Sequence, residues 1–502
     1  MLVLLAVPAI GGEGVCANCH PKEVRGYQQS AMAHSLSRAA SQPDGSFEHA
    51  ASHTHFVIRT GAAGMLQELE RDGEAEQQQV AYVIGSGTHA FGYLVRIGDH
   101  LFQSPLSYYT GRRLWDVAPG YEESRHPDFS RPVTIECLLC HSGKPQPIRD
   151  SLNRYQSPAF LAEGISCDRC HGPGEAHAKN PMPGSIVNPA KLTGAARDSI
   201  CEQCHLTGEV RIPNPGKSIA DFRPGETLEE SFTVYVAARQ DGKTLKVVSH
   251  AEQLALSMCA RASGGKLWCG TCHNPHETPA DPAAYFRARC LGCHGATLEK
   301  AHAAGGRDCI ACHMPRLPAR DGGHTAFTDH RIRRRPEALG ESSDANDLRA
   351  WREPDAKFRQ RNLALALVTV GLEDKSAEQA VRGFRTLYRI EKEYPNDPDV
   401  LTTLGSVLLR GKQPEEALRR FEKVLALRPA YAPYEVNAAA ALLAMGKKSE
   451  AQLHLESALR LDPLLEQAIA MLGKVYADEG NDSRAHALIT QYRVAMGFTS
   501  TH

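Results

Sequence analysis

Seven copies of one five-residue pattern, C-x-x-C-H, constrain this chain more than any other feature. They place Cys16, Cys19 and His20 together, then Cys137, Cys140 and His141, then Cys167, Cys170 and His171, then Cys201, Cys204 and His205. Cys269, Cys272 and His273 follow, then Cys290, Cys293 and His294, and last Cys309, Cys312 and His313. Fourteen of the 15 cysteines are used this way, all before residue 331. The rest of the chain holds no cysteine and only three of the 23 histidines. Two halves of different chemistry are therefore joined near residue 331.

The spacing has a chemical reading. C-x-x-C-H is the sequence sign of covalent haem attachment. Two thiols bond the two vinyl arms of one porphyrin, and the histidine that follows offers the iron an axial nitrogen. A zinc knuckle needs no histidine after its second cysteine, and a disulfide framework suits short secreted chains. Seven haem c groups are expected, held by these fourteen cysteines, with the seven motif histidines as proximal ligands. Cys259, outside the pattern, reads as a buried free thiol rather than a redox or ligand group.

Each iron needs a second axial ligand, or keeps an open position. Thirteen histidines before residue 331 lie outside the motifs, whereas methionine is scarce and only Met314 adjoins a motif. Bis-histidine ligation is the expectation, and without axial methionine the potentials should be low. The candidates are His34, His89, His177, His250, His276, His302, His324 and His330, the last two lying close together in HTAFTDHRI. His49, His53, His55, His100 and His126 read as surface residues.

CANCH followed by a helical SAMAHS stretch, the CHGPGEAH block, CHNPH and the closing CIACHMP resemble the multihaem cytochrome c superfamily. That group includes hydroxylamine oxidoreductase, octahaem tetrathionate reductase and the tetrahaem carrier of nitrifiers. More closely, the chain resembles bacterial proteins that fuse such a cytochrome to tetratricopeptide repeats. The resemblance covers about residues 14–335 and 362–499. It implies that histidines placed like His34, His177 and His276 ligate a haem other than the one they follow, with haems in close pairs. The C-x-x-C-K motif of a lysine-ligated catalytic haem is absent from the sequence.

The predicted fold class is mainly α: a multihaem cytochrome c domain with little regular structure and a small β insertion, then a tetratricopeptide α-solenoid. Residues 1–11, apolar with small residues after, read as a signal-peptide remnant. Residues 12–335 form the heptahaem domain. Its cysteine-free stretch gives a β-rich insertion at about 45–115, from short β-like runs split by Gly and Asp-Gly. The runs around Asp241 and Gly242 read as a hairpin. Residues 336–361 read as a linker, and the basic cluster at 331–335 as a solvated part of it. From Pro398 the chain repeats every 34 residues, as 398–431, 432–465 and 466–499. Position 8 is Gly405, Ala439 and Gly473; position 20 is Ala417, Ala451 and Ala485; position 24 is Phe421, Leu455 and Ile489. The small residues let paired helices close, and position 24 should fill the space between repeats. Residues 362–397 read as a further, less regular unit.

With 57 basic and 58 acidic residues, nucleic acid is not an expected partner. No apolar run is long enough for a membrane-spanning helix. The expected function is an extracytoplasmic, periplasmic electron relay through seven mostly bis-histidine haems. The repeat groove would dock a redox protein or a membrane electron-transfer complex. The alternative is a multihaem oxidoreductase acting on small nitrogen or sulfur compounds at one open haem.

Overall fold

The computed structural model describes residues 13–38, 40–238, 245–301, 308–333 and 347–500. The leader reading at 1–11, the turn at Asp241 and Gly242, His302 and residues 336–346 of the linker lie outside these residues.

The sheet strands are β1 (Leu36–Ser37), β2 (Gly45–His49), β3 (Thr54–Gly61), β4 (Gly64–Arg71), β5 (Glu74–Ile84), β6 (Phe91–Ile97), β7 (His100–Tyr109), β8 (Leu114–Val117) and β9 (Arg131–Pro132). From β2 to β8 they run as an antiparallel meander, with β1 paired to β5 and β9 to β7. Alternation explains it: in β3, Thr54, Phe56 and Ile58 are buried, and in β4 so are Met65, Gln67 and Leu69. Between β4 and β5, Asp72 and Gly73 both take positive φ, as a two-residue hairpin turn requires. The last strand returns to the first. Trp115 of β8 lies against Gly45 of β2, where an added Cβ would come within 2.6 Å of the indole, and its Nε1 donates to the Pro43 carbonyl at 2.9 Å.

Helices carry or flank the cysteine motifs: α1 (Glu13–Ala17), α2 (Pro21–Tyr27), α3 (Ile135–Leu138), α4 (Asp168–His171), α5 (Glu175–Lys179), α6 (Gly194–His205), α7 (His250–Leu256), α8 (Met258–Ala262), α9 (Cys269–Cys272), α10 (Pro282–Ala301) and α11 (Cys309–His313). Between them lie small strands: β10 (Pro145–Pro147) with β11 (Tyr155–Phe160), β12 (Val210–Pro213) with β13 (Phe232–Ala237), and β14 (Arg316–Pro318) with β15 (Ala326–Thr328). The second partner of β13 is β16 (Leu348–Ala350). So the run after Gly242 does not return onto β13 within the described residues; Leu245 bridges Ala319 instead.

Four helical hairpins follow: α12 (Ala356–Glu373) with α13 (Ala377–Ile390), α14 (Pro398–Arg410) with α15 (Pro414–Leu427), α16 (Ala432–Ala444) with α17 (Lys448–Leu461), and α18 (Glu466–Asp478) with α19 (Asp482–Ala495). Asp397 caps α14 by accepting from the Asp399 and Val400 amides, and Pro398 opens it. Ala417, Ala439 and Ala451 are fully buried. A Cβ on Gly405 would lie 2.4 Å from the Phe421 ring. Position 24 packs against position 8 of its own hairpin and also between repeats, Phe421 clustering with Ala438 and Ala441 and Leu455 with Ala468 and Leu472 of the following unit. The chain ends with β17 (Phe498–Ser500), which pairs with β5.

The predicted fold class is thus corrected. The structure is 43% helix and 20% strand, with a ten-stranded antiparallel sheet where a small insertion was expected. Pairing between distant segments made the difference: β1, β9 and β17 join the meander from outside it.

The halves are tied at both ends of the repeat array. Arg361 in α12, fully buried, donates to both Asp397 carboxylate oxygens at 2.7 and 2.9 Å, to Asp399 at 2.9 Å and to the Pro213 carbonyl at 2.7 Å. At the far end Gln78 donates to the Met496 carbonyl at 2.6 Å. Between these, Arg428 pairs with Asp150 and Arg154 donates to the Leu461 carbonyl. His100, 4% exposed, holds Asp462 at 2.8 Å. It and His49 are buried, contrary to the surface reading.

Candidate functional site

The fold gathers the motif helices that the sequence scatters. Cys140 Sγ donates to the Gln203 carbonyl at 3.9 Å and Cys204 Sγ to the Leu139 carbonyl at 3.8 Å, bringing the second and fourth motifs side by side; the neighbouring Cys204 thiol draws the Cys140 thiol down to about 6, against burial, with help from Arg211 and Arg169. Cys201 contacts Cys269, joining the fourth and fifth motifs. Cys290 and Cys309 contact each other, joining the sixth and seventh. Cys259 is half-buried near Cys272 and Cys290.

Four motif histidines face a histidine from outside the motifs. Ring centroids lie 6.5 Å apart for His20 and His177, and 5.9 Å for His171 and His276. They lie 6.3 Å apart for His273 and His330, and 5.3 Å for His205 and His250. In the first two pairs the outer histidine follows one motif and faces another: His177 comes after His171 but faces His20, and His276 comes after His273 but faces His171.

Backbone carbonyls fix the rings. His171 Nδ1 lies 2.8 Å from the Val187 carbonyl, His330 Nδ1 2.9 Å from that of Thr328, and His313 Nδ1 2.7 Å from that of Arg333. A carbonyl can only accept, so in each of these rings Nδ1 carries a proton and donates it. Burial pushes His250 down to about 3 and His273 down to about 4. It also lowers His141, His205, His276 and His330. These rings are neutral at pH 7, the ligand form of imidazole.

The other predicted residues are placed differently. His34 is exposed, next to Ser35, whose hydroxyl donates to the His141 carbonyl at 2.8 Å. His89 stacks on Phe327 at 4.2 Å and takes Arg316 on Nδ1. His324 has both nitrogens occupied, Nε2 by Asp116 at 2.6 Å and Nδ1 by Arg112 at 3.3 Å. His294 is exposed beside a kink at Gly295. Arg331, assigned to a solvated cluster, is instead 5% exposed and pairs with Asp329 at 2.7 Å.

Comparison with known proteins gives partial matches. No family model matches. The Cellulose synthase operon protein C of Pseudomonas fluorescens (strain SBW25) is 31% identical over 189 residues, covering 35% of this chain. This chain spans only 14% of that relative's length. Among solved structures, a crystal structure of MamA is 21% identical, with a TM-score of 0.23 over 25% of this chain and 73% of that one. A mutant of the Thermobaculum terrenum O-GlcNAc transferase is 20% identical, with a TM-score of 0.26 over 28% of this chain and 27% of that one. The curated match points to a tetratricopeptide-like repeat protein. No helix among the described residues is long and apolar enough to cross a membrane.

One expectation is corrected here: the matches lend no support to the metal-binding and electron-transport reading. Among the described residues no group of three or more His, Cys, Asp or Glu stands together as a cage for a metal ion. A porphyrin poses a different test, because four of the iron's nitrogens come from the macrocycle and only two from protein. Each facing pair would supply two imidazoles to one haem, which would bring the redox chemistry. The facing pairs and the adjacent thiols fit that donor set.

Proposed function

We propose that the chain carries seven covalent haem c groups on its cysteine pairs and relays electrons between protein partners outside the cytoplasm. The observation that carries this reading is the set of facing histidines, in which His20, His171, His205 and His273 each meet a non-motif ring at 5.3–6.5 Å. Bound haem supplies one-electron redox chemistry. The protein's part is to hold the ligands. Thr328 and Val187 carbonyls orient His330 and His171, and burial keeps His250 and His273 neutral. Closely packed motif helices, such as those joined by Cys140–Cys204 and Cys201–Cys269, bring successive sites together for transfer. Covalent attachment, carried out outside the bacterial cytoplasm, supports a periplasmic location.

The repeats mediate protein contact. One part of their surface is occupied by the chain's own sheet, through Asp150, His100 and β5. The remainder is proposed to dock a redox protein or a membrane complex.

The test is expression of the full chain with a c-type haem maturation system, followed by haem quantitation and electron paramagnetic resonance. Seven covalent haems per chain with low-spin ferric signals are expected. A chain that matures without covalent haem refutes the reading. A high-spin signal that shifts with nitrite or hydroxylamine would replace the relay by an oxidoreductase.

A further inference from the structure

Segment 329–333 is built more tightly than a route out of a domain requires. The Asp329 amide donates to the Pro315 carbonyl, and the Arg333 amide to the His313 carbonyl, while His313 Nδ1 donates back to Arg333. The His330 amide donates to Gln253 Oε1 at 2.8 Å. The segment thus lies between His313 of the last motif and His330, which faces His273. Ile332 is held at a φ of 48°, a conformation that a β-branched residue adopts only where its surroundings impose it.

Arg331 stands at the middle of this segment, with its side chain 4% exposed. Its amide and Nε both donate to Asp329 Oδ1, at 2.9 and 2.7 Å. The other Asp329 oxygen lies 3.5 Å from Arg333, so one buried carboxylate is shared by two guanidiniums. A terminal nitrogen of Arg331 is buried with no hydrogen-bond partner. A buried cationic donor left unpaired is costly, and the usual completion is a second carboxylate.

We propose that Arg331 is a carboxylate clamp, donating its free terminal nitrogen to a propionate of the porphyrin at the His273–His330 site or at the His313 site. The proposal rests on the reading that the motifs carry haem. Asp329 is then a positioning residue: it fixes Nε and turns the guanidinium's free edge toward the ligand. Lysine, a point charge without the planar fork, should replace the charge but not the geometry.

The experiment uses the full-length, haem-loaded chain and its R331Q and R331K variants. It reads covalent haem number, a redox titration and the propionate bending envelope in resonance Raman. In R331Q, haem number should be unchanged, one component should move to lower potential and one propionate band should shift. R331K should keep the potential nearer wild type while still shifting the band. A band envelope unchanged in R331K, and in R331Q where it loads, overturns the clamp and leaves Arg331 as an internal ion pair. Should R331Q fail to fold, R331K alone decides by that band. The same variant with Cys309→Ser and Cys312→Ser separates the two sources. A band shift that survives assigns the propionate to the His273 site, and one that disappears assigns it to the His313 site. Wild-type chain with no covalent haem would defeat the parent reading, a result distinct from loaded chains with identical spectra.

Discussion

Replacing Glu76 by glutamine should cross the stability of wild type as pH rises. Glu76 lies on β5, fully buried, paired with Leu69 on one side and Phe498 on the other. Neither carboxyl oxygen makes a hydrogen bond of good geometry. Burial, followed by the nearby Asp128 carboxylate, pushes its pKa up to about 9; the Phe129 backbone, Arg71 and Arg493 oppose this. The folded protein therefore keeps this proton where the unfolded chain, at 4.5, has lost it. The resulting stabilisation is complete below the unfolded pKa and is withdrawn as pH climbs toward 9. Each pH unit in that window costs about 1.4 kcal/mol, so pH 5 to 8 removes up to ~4 kcal/mol. Glutamine has no such slope, but its buried amide group costs about 1–3 kcal/mol at every pH. Glu76→Gln should be less stable than wild type near pH 5 and more stable by roughly 2 kcal/mol near pH 8. A chain of this size does not unfold in two states, so the assay is hydrogen exchange of peptides covering 74–84, corrected for intrinsic rates. Equal pH dependence of their opening free energy in both proteins would refute the argument.

Three further perturbations test other parts of the structure. Gly405→Ala forces a methyl to within 2.4 Å of Phe421; overpacking of about 1–3 kcal/mol exceeds the ~1 kcal/mol gained in helix propensity, so thermal melting should show net loss. Arg361→Ala leaves Asp397 buried without its cation, and about 3–5 kcal/mol should be lost, read as faster proteolysis between the halves; an unchanged cleavage rate would count against the tie. His177→Ala should convert one ferric site from low spin to high spin if His177 is the ligand opposite His20, and seven unaltered low-spin signals would break that pairing.

The motif histidines and thiols were legible in sequence because their spacing is local: a five-residue pattern needs no tertiary information. Which outer histidine faces which motif was not, because each pair joins residues far apart in the chain. His324 and His330 illustrate the difference. Both looked equivalent in HTAFTDHRI, yet Asp116 and Arg112, from the sheet, occupy the first, while the second faces His273. His100 and Arg331 looked exposed for the same reason, since the partners that made their burial tolerable include Asp462, hundreds of residues away, and a fold around the last motif.

The sequence alone determined the local units: a 34-residue repeat that closes into helical hairpins, strands that alternate, and seven thiol pairs each followed by an imidazole. These follow from short-range periodicity and covalent spacing. The tertiary structure decided how large the sheet became and where the repeats lie. β17 closes onto β5 from the far end of the chain, and Arg361 ties the first hairpin to β12. Backbone groups at a sheet edge accept any strand that reaches them, and a buried charge finds its partner only after the chain has collapsed. Neither choice is written in the local pattern of residues.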